Sequence, residues 1–465
     1  MSDEVYQAIA QSASGFVEAP AGCGKTEAIV RTVGSFCTDP QLVLTHTHAG
    51  VDALRERFRE HHVPTTRYHV DTIAGWSWGW VRKYADNAGY QGSVDIAVWN
   101  DVYEAMSNLL QKNFVRQGLL NSYAGIIVDE YQDCTIVMHQ LIVQLKRLLP
   151  CRILGDDLQG IFGFGDDPLV AWSDVETEFA NNLGTLETPH RWIKADNEPL
   201  GRWLLSTRRD FRQNREPDYR GSPIETRTVR YSDLAQQLVR LTYEKEGKTC
   251  VIGPKARSLP TGIETALVNR HYRLLEPNEL SALRTLTLAL STGSPLEKSK
   301  AATKFLIRAH GGLLVQDKTF IGKILKGETQ RPLRADKRAL YETHHTKGTS
   351  PQLLFDLLQY INQLPRISSK LQESISALKC ILEEHIESGT DVKTLYADEI
   401  ARRKYQSRSN VYRCIGSTLL IKGLEFDHVL IVRDADWQKN WGNHRDLYVA
   451  LTRGSKSTTL IEIAA

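Results

Sequence analysis

The chain has 465 residues, enough for several hydrophobic cores and two to four domains, and its net charge of +3 is too small to indicate nucleic-acid binding by itself. Its first residues are polar and it has no run of 18 apolar residues, so we expect a cytoplasmic protein without a membrane span or a secretion signal. Seven cysteines without a CxxC pair favour free thiols over disulfides or a metal site.

The first chemically informative segment is APAGCGKT at residues 19–26, which follows a short apolar run and precedes a helix-compatible stretch. In a phosphate-binding P-loop, glycines let backbone amides turn toward an anion, the lysine reaches the outer phosphates and the Thr hydroxyl ligates Mg²⁺. A chance glycine turn is the alternative, and the strand–loop–helix context disfavours it. The predicted ATP contacts of this loop are Gly22, Cys23, Gly24, Lys25 and Thr26, with Thr26 also a Mg²⁺ ligand.

A second candidate element is the apolar run Gly125–Val128, which predicts a buried strand and is followed by the sequence DEYQD. Two adjacent carboxylates at a strand end suit nucleotide hydrolysis. Asp129 would hold Mg²⁺ through its water shell, and Glu130 would polarise the attacking water. A solvated acidic turn is the alternative, and the P-loop upstream makes it less favourable.

With these two elements, the chain resembles the superfamily 1 DNA helicases of the UvrD, Rep and PcrA type. The sequence GDDLQGIF at residues 155–162 is similar to the third motif of that family. The resemblance implies that Gln159 senses the γ-phosphate of ATP. It also implies that Phe162 and Phe164 stack on DNA bases.

Two further signatures lie near the C-terminus, in the order in which the family has them. The sequence KGLEF at residues 422–426 is similar to a motif that contacts nucleotide and DNA, which implies nucleotide contacts for Gly423 and Glu425. The sequence YVALTR at residues 448–453 is similar to a motif whose arginine acts as an arginine finger, a role that falls on Arg453 here.

Weaker matches extend the nucleotide site. Gln7 stands where the family has a glutamine that reads the adenine edge, although an ordinary exposed glutamine explains it almost as well. Arg191 stands where an arginine reaches the γ-phosphate. His190 replaces a tyrosine that stacks on adenine and offers less ring surface, so base selectivity is expected to be looser.

Departures from the family pattern cluster on the DNA-contacting side. His46 replaces a DNA-stacking phenylalanine, and Thr72 keeps a DNA-contacting threonine whose usual histidine partner is Ala74. Leu419 lies in the sequence STL, where Thr-Leu-His is common. We therefore expect intact nucleotide chemistry and an altered DNA track.

Short apolar runs that alternate with helical patterns predict an α/β fold of two RecA-like P-loop NTPase lobes with helical insertions. The predicted parts are a first lobe (1–75 and 120–200), a small helical insertion (76–119), a second lobe (201–264 and 406–465) and a reduced helical insertion (265–405). Four tryptophans of the first insertion are interpreted as packing residues rather than base-stacking ones: Trp76, Trp78, Trp80 and Trp99.

Two stretches are rich in basic residues, Arg202–Arg220 and Lys298–Lys347. Such stretches can track the phosphates of a nucleic acid, with each contact adding a salt-dependent increment of affinity. Solvated helix faces are the alternative and the commoner explanation.

The resemblance implies an enzyme that uses ATP and Mg²⁺ to move 3′ to 5′ on single-stranded or partly duplex DNA. The chain is much shorter than repair helicases and has a small second insertion, a layout similar to the compact UvrD-like subunits encoded beside OLD-type nucleases in antiphage systems such as Gabija. Three hypotheses follow: a helicase or translocase, a DNA-end sensor that activates a partner nuclease with little unwinding, and a non-catalytic scaffold. The complete set of phosphate and Mg²⁺ residues disfavours the scaffold.

Overall fold

A computed structural model describes residues 2–91, 99–161, 168–243, 245–253, 259, 261–268, 270, 272–275, 278–328, 335–345, 348–365, 367–369, 371–396, 399, 412–433 and 444–464. The chain divides into two compact units, Met1–Leu275 with Val411–Ala465 (unit 1) and Glu276–Asn410 (unit 2).

In chain order the strands are β1 (Ser14–Glu18), β2 (Gln41–Thr45), β3 (Tyr68–Thr72), β4 (Gly125–Val128), β5 (Cys151–Gly155), β6 (Asn182–Thr185), β7 (Glu225–Arg230), β8 (Thr249–Gly253), β9 (Arg273–Leu274), β10 (His310–Gly311), β11 (Ser368–Ser369), β12 (Arg413–Ser417), β13 (Phe426–Arg433) and β14 (Gly454–Ala464). The helices are α1 (Ser2–Gln11), α2 (Lys25–Arg31), α3 (His48–Glu60), α4 (Ile73–Lys83), α5 (Ala85–Ala88), α6 (Trp99–Leu109), α7 (Asn113–Ser122), α8 (Ile136–Lys146), α9 (Trp172–Glu178), α10 (His190–Lys194), α11 (Glu198–Ser206), α12 (Arg208–Arg212), α13 (Leu234–Tyr243), α14 (Thr261–Val268), α15 (Asn278–Thr292), α16 (Pro295–Ala309), α17 (Val315–Lys326), α18 (Ala335–His344), α19 (Pro351–Gln363), α20 (Gln372–Ser388), α21 (Thr418–Ile421) and α22 (His444–Leu451).

Unit 1 contains two parallel sheets of six strands each. The first has the order β3-β2-β4-β5-β1-β6 and the second β7-β14-β13-β8-β12-β9. The predicted apolar runs form β2, β4 and β5 at the centre of the first sheet, and β8 lies inside the second. The predicted α/β class with two RecA-like sheets is confirmed, whereas the subdivision into lobes and insertions stays a prediction.

The central strands β2, β4, β5 and β8 are buried on both faces, which explains why they read as continuous apolar runs rather than alternating ones. On the first sheet, Leu42 and Val128 face a core shared with α4, α6 and α8, while Val43 and Ile127 face a core shared with α1, α2 and α3. The carboxyl ends of the strands are left for loops, and these loops carry the predicted nucleotide residues.

The helices α4 to α7 contribute apolar side chains to the core of the first sheet. Trp76 is buried, and Trp78 and Trp80 pack against the same core, as the packing interpretation requires. Trp99 differs, because it opens α6 and is 48% exposed.

Unit 2 is formed by α15 to α20 around a leucine-rich core. An ion pair between Lys337 and Asp317, 2.7 Å long, is buried within it. No helix among the described residues of either unit is long and apolar enough to cross a bilayer.

Candidate functional site

The loop between β1 and α2 has the backbone form that a phosphate-binding loop needs. Gly22 and Gly24 have φ of +69° and +87°, a region that side chains disfavour. A Cβ on Gly22 would lie 2.7 Å from the Trp192 ring, and one on Gly24 would lie 3.0 Å from the ring of His190. The Arg191 amide donates to the carbonyl of Gly22 at 3.1 Å. The segment predicted to contact adenine and γ-phosphate thus packs directly on the P-loop.

Lys25 opens α2 and reaches across to the end of β4. Its Nζ lies 2.6 Å from Glu130 Oε2 and 3.8 Å from Asp129 Oδ1. Burial opposes the charge on Lys25, but the two carboxylates outweigh it and raise the pKa of the amine. Burial raises the pKa of Asp129, while Lys25 and Lys422 outweigh burial and hold the pKa of Glu130 low. Glu130 stays an anion suited to polarising water.

The backbone of Glu130 adopts φ +56° and ψ +40°, a conformation that costs a non-glycine residue energy and that proteins keep mainly at functional sites. Gln132 stabilises this turn. Its Nε2 donates to Glu130 Oε2 at 2.5 Å, and its Oε1 accepts from the Asp156 amide at 3.0 Å. Gln132 was not predicted as a site residue, although it lies inside the recognised DEYQD sequence.

Gln159 follows β5 and is 5% exposed. Its Nε2 donates to Asp156 Oδ2 at 2.8 Å, and its Oε1 accepts from the guanidinium of Arg453 at 2.9 Å. Arg453 is 2% exposed, and burial, aided by the charge of Arg191, lowers its pKa to about 10, so it remains charged at neutral pH. Two predicted catalytic residues from different sheets therefore touch.

Two further cations connect the sheets at the same place. Arg191 pairs with Glu425 at 2.5 Å and donates to the carbonyl of Thr452 at 2.5 Å, while its buried Nε has no hydrogen-bond partner among the described residues. Lys422 donates to Asp133 and, at 2.5 Å, to the carbonyl of Gln159. Lys422 was missed as a site residue, although the KGLEF signature contains it.

Three other residues predicted to contact the nucleotide are more exposed or have more open space around them. Gln7 is exposed on α1, and Gly423 has φ +81° with open space around the position of a Cβ. Thr26 is half-buried in the first turn of α2, next to Lys25. Their roles stay predictions.

The residues predicted to contact DNA differ in burial and in the groups that they contact. Thr72 is buried, and its hydroxyl caps α4 by accepting from the Gly75 amide at 2.8 Å. His46 is half-buried, and its Nε2 lies 3.5 Å from the sulfur of Cys134. Burial and then Lys422 lower the pKa of His46 to about 4, so the ring is neutral near pH 7. Phe162 and Phe164 lie outside the described residues.

In the basic stretch Arg202–Arg220, two arginines pair with carboxylates of unit 1, and a phosphate-tracking role for the rest of the stretch stays a prediction. Arg208 is 6% exposed and pairs with Glu18, Asp156 and Asp157, and Arg212 pairs with Glu18 and Asp157. These guanidinium groups are engaged because the chain folds them against carboxylates at the ends of β1 and β5. Charge composition alone could not distinguish the two outcomes.

The residues around the P-loop fit Mg²⁺ and a nucleoside triphosphate. Thr26 and Asp129 offer the oxygen ligands that Mg²⁺ prefers, next to glycines whose backbone can face phosphate. Lys25 and the buried Nε of Arg191 could supply donors for phosphate oxygens. A helix N-terminus at Lys25 adds a favourable field for negative charge.

The segment that contains the P-loop and the DEYQD sequence matches a known protein family. Residues 3–165 match a family model described as AAA domain. A segment of 86 residues, 18% of this chain, is 34% identical to an ATP-dependent helicase/nuclease subunit from Alkaliphilus metalliredigens (strain QYMF), of which it covers 7%. The chain therefore spans a small part of that relative.

Solved structures similar to the chain include the helicase nonstructural protein 10 of an arterivirus. Its crystal structure is 12% identical, with a TM-score of 0.37 and coverage of 99% of this chain and 62% of that one. Its complex with DNA is 15% identical, with a TM-score of 0.28 and coverage of 54% and 49%. The segment that matches the AAA domain model contains the P-loop, the DEYQD sequence and the strands β1 to β5 of the first sheet.

Proposed function

We propose that this chain is a DNA-dependent ATPase that converts ATP hydrolysis into movement on single-stranded DNA, as a helicase of the UvrD type. The observation that carries the proposal is the direct contact of Gln159 with Arg453 beside the P-loop. Because these residues come from different sheets, a change in the phosphates at one sheet can alter the position of the other sheet.

The chemistry follows from the residues around Lys25. ATP phosphates would take the place that Glu130 now has beside the Lys25 amine, which frees Glu130 to polarise the attacking water. Arg191 and Arg453 would offset the negative charge that develops on the transferred phosphoryl group. Mg²⁺, held by Thr26 and Asp129, would supply further positive charge at the phosphate oxygens.

DNA would cross both lobes, with Phe162 and Phe164 as stacking platforms worth about 1 to 3 kcal/mol per base. Closure on ATP and opening after hydrolysis would then shift the grip along the strand. The family resemblance supports movement from 3′ to 5′. A cytoplasmic location is part of the same proposal.

Unit 2 offers a second candidate DNA contact, which we call the basic face. Lys300, Lys304 and Arg308 are exposed at four-residue intervals along α16, so they lie on one side of that helix. Lys323 and Lys326 are exposed on α17, which crosses α16 where Thr303 approaches Gly322. Within the described residues none of these five cations has an ion-pair partner. The basic face can bind DNA phosphates or an acidic partner protein.

A DNA-end sensor that activates a partner nuclease is the second candidate function. It is favoured by the altered DNA side, where His46 lies against Cys134 and Thr72 is occupied in capping a helix. The helicase/nuclease name of the bacterial relative is consistent with a nuclease partner. A role in a defence or repair assembly with an OLD-type nuclease, as in Gabija-type systems, belongs to this proposal.

The test is ATP turnover of the purified chain with and without single-stranded DNA, followed by strand displacement on a 3′-tailed duplex. We expect DNA to stimulate turnover in the wild type and Lys25→Ala to be inactive in both assays. Stimulated turnover without displacement would favour the end-sensor function. An ATPase indifferent to DNA would contradict both.

A further inference from the structure

Asp156 is a buried carboxylate at the centre of unit 1, and it is 0% exposed. It collects donors from four parts of the fold, namely the P-loop amide of Ala21 (3.1 Å), the side chain of Gln159 (2.8 Å), the guanidinium of Arg208 (2.7 Å) and the hydroxyl of Tyr448 (3.3 Å). The Leu158 amide is a further donor at 3.3 Å. Asp156 therefore joins the nucleotide loop to residues of both sheets.

Arg208 is the main counter-charge of this carboxylate. It lies at the start of α12, and besides Asp156 it donates to the hydroxyl of Tyr448 at 2.7 Å and to Glu18 at 2.7 Å. Tyr448 belongs to α22, the helix that precedes Arg453, and its ring packs on Phe211 of α12 with centroids 5.4 Å apart. The hydrogen bonds of Arg208 thus reach the ends of β1 and β5 and the helix leading to the predicted arginine finger.

The chemistry on either side of Gln159 determines which way its amide points. An ionised carboxylate only accepts hydrogen bonds and a guanidinium only donates them. Between Asp156 and Arg453, the amide can satisfy both neighbours only with Nε2 toward Asp156 and Oε1 toward Arg453, as observed. Burial favours the neutral form of Asp156, but Arg208 outweighs it and keeps the pKa of this carboxyl low.

We propose that Arg208 is a positioning residue, which holds the Asp156 carboxylate so that Gln159 presents its oxygen to Arg453 and the P-loop can accept phosphate. The inference rests on the proposed ATPase function and deepens it. Arg208 itself need not touch ATP. It acts by cancelling a negative charge that contacts the P-loop and by fixing the acceptor that orients Gln159.

The test uses three variants and one matched control. Arg208→Gln leaves the buried carboxylate of Asp156 without its counter-charge. We therefore expect ATP to bind at least tenfold more weakly and kcat to fall at least tenfold. Asp156→Asn removes the charge but supplies an amide that can donate as well as accept, so ATP affinity should be kept while kcat falls at least tenfold. Arg212→Gln is the control, since Arg212 lies one turn further along α12 and, among the described residues, pairs with Glu18 and Asp157 but not with Asp156.

The double variant, Arg208→Gln with Asp156→Asn, separates positioning from charge balance. No buried charge is left unpaired at Asp156, so thermal stability and ATP affinity should return to within threefold of the wild type. The kcat should stay at least tenfold low, because the Gln159 amide is no longer held in one orientation. Recovery of kcat together with affinity would show that Arg208 only balances charge and would overturn the proposal. An Arg212→Gln variant as impaired as Arg208→Gln would also overturn it.

These measurements are independent of DNA, so they distinguish the inference from the proposed function. Turnover unaffected by DNA would contradict the DNA-driven function, while the pattern across the variants would still test Arg208. Hydrogen exchange of residues 444–453 provides a readout that needs no turnover. It should be faster in Arg208→Gln and in the double variant than in the wild type, and equal rates in all three would contradict positioning.

Discussion

The amine of Lys25 and the carboxylate of Glu130 form an ion pair 2.6 Å long, so the lysine predicted to bind phosphate pairs with the residue predicted to polarise water. Binding of ATP must exchange one anion for another at this amine. Substitutions of the two residues should therefore have different effects on nucleotide binding and on turnover.

Lys25→Ala should abolish detectable nucleotide binding, because it removes a phosphate donor and leaves Asp129 and Glu130 without their common cation. Glu130→Gln should keep binding, stop turnover and trap a closed state that grips DNA. The two outcomes are separated by titrating a fluorescent ATP analogue and measuring phosphate release. Glu60→Gln, an exposed carboxylate on α3, serves as control. Normal turnover by pure Glu130→Gln would refute the assignment.

Arg453→Lys should lower kcat by about 10³ or more, since an arginine finger is worth about 10³ to 10⁵ in rate and lysine cannot reproduce its planar donors. ATP affinity should change little, because Lys25 and Arg191 remain. Steady-state kinetics at saturating ATP check this expectation. Lys456→Ala, a half-exposed cation on β14, should behave as the wild type. A variant that lost affinity while keeping kcat would make Arg453 a ground-state contact.

His46 should make the fold sensitive to mild acid. Its pKa is about 4 in the folded chain and 6.5 ordinarily, so the unfolded chain binds the extra proton between these values and stability falls as pH falls from 6.5 toward 4. Linkage gives a loss of at most about 2 kcal/mol between pH 7.5 and pH 5. Urea unfolding at both pH values should show this part of the loss in the wild type and not in His46→Gln. The same pH dependence in both proteins would mean that His46 titrates normally.

Phe162→Ala should uncouple ATP turnover from DNA. Loss of one stacking platform should weaken single-strand binding by about 1 to 3 kcal/mol, while turnover without DNA stays nearly unchanged. Fluorescence anisotropy with an oligonucleotide, together with basal and stimulated ATPase rates, tests this. If basal turnover fell as far as stimulated turnover, Phe162 would instead support the neighbouring Gln159 loop.

Reversal of charge on the basic face should separate its two possible partners. With Lys300→Glu, Lys304→Glu and Lys323→Glu combined, a DNA-binding face would lose about 0.7 to 0.9 of the log–log salt slope for each phosphate contact removed. Lys379→Glu, on α20 of the same unit, is the matched control. Unchanged DNA affinity with loss of a co-purifying nuclease would identify the face as a protein-docking surface.

Sequence sufficed for the parts of the site in which local residue type and spacing carry the chemistry. The P-loop and the DEYQD sequence are each contained in a few consecutive residues, and their strand contexts could be predicted from apolar runs. The role of Arg208 could not, because its partners Asp156 and Tyr448 are 52 and 240 positions away. A cluster of arginines looks the same whether the fold turns it toward solvent or toward buried carboxylates.

The environments of Thr72 and His46 likewise depend on residues that are distant in the sequence. Both stand at positions where the family contacts DNA, but whether the Thr72 hydroxyl caps a helix or faces DNA depends on the direction in which the next helix leaves the sheet. Neutrality of His46 depends on the burial supplied by surrounding elements and on the charge of Lys422, which is 376 residues later in the chain.

The place at which unit 2 interrupts the second sheet has an evolutionary consequence. The chain leaves the sheet after β9 and returns in β12, and these two strands are hydrogen-bonded neighbours with Leu274 opposite Ile415. The two strands are parallel, so a crossover connection of about a dozen residues would suffice to join them. A whole helical unit can thus be gained, shortened or exchanged at this junction while the strand order that carries Lys422 and Arg453 is inherited intact. Related proteins can therefore differ in unit 2 while they keep the sheets that hold the candidate nucleotide site.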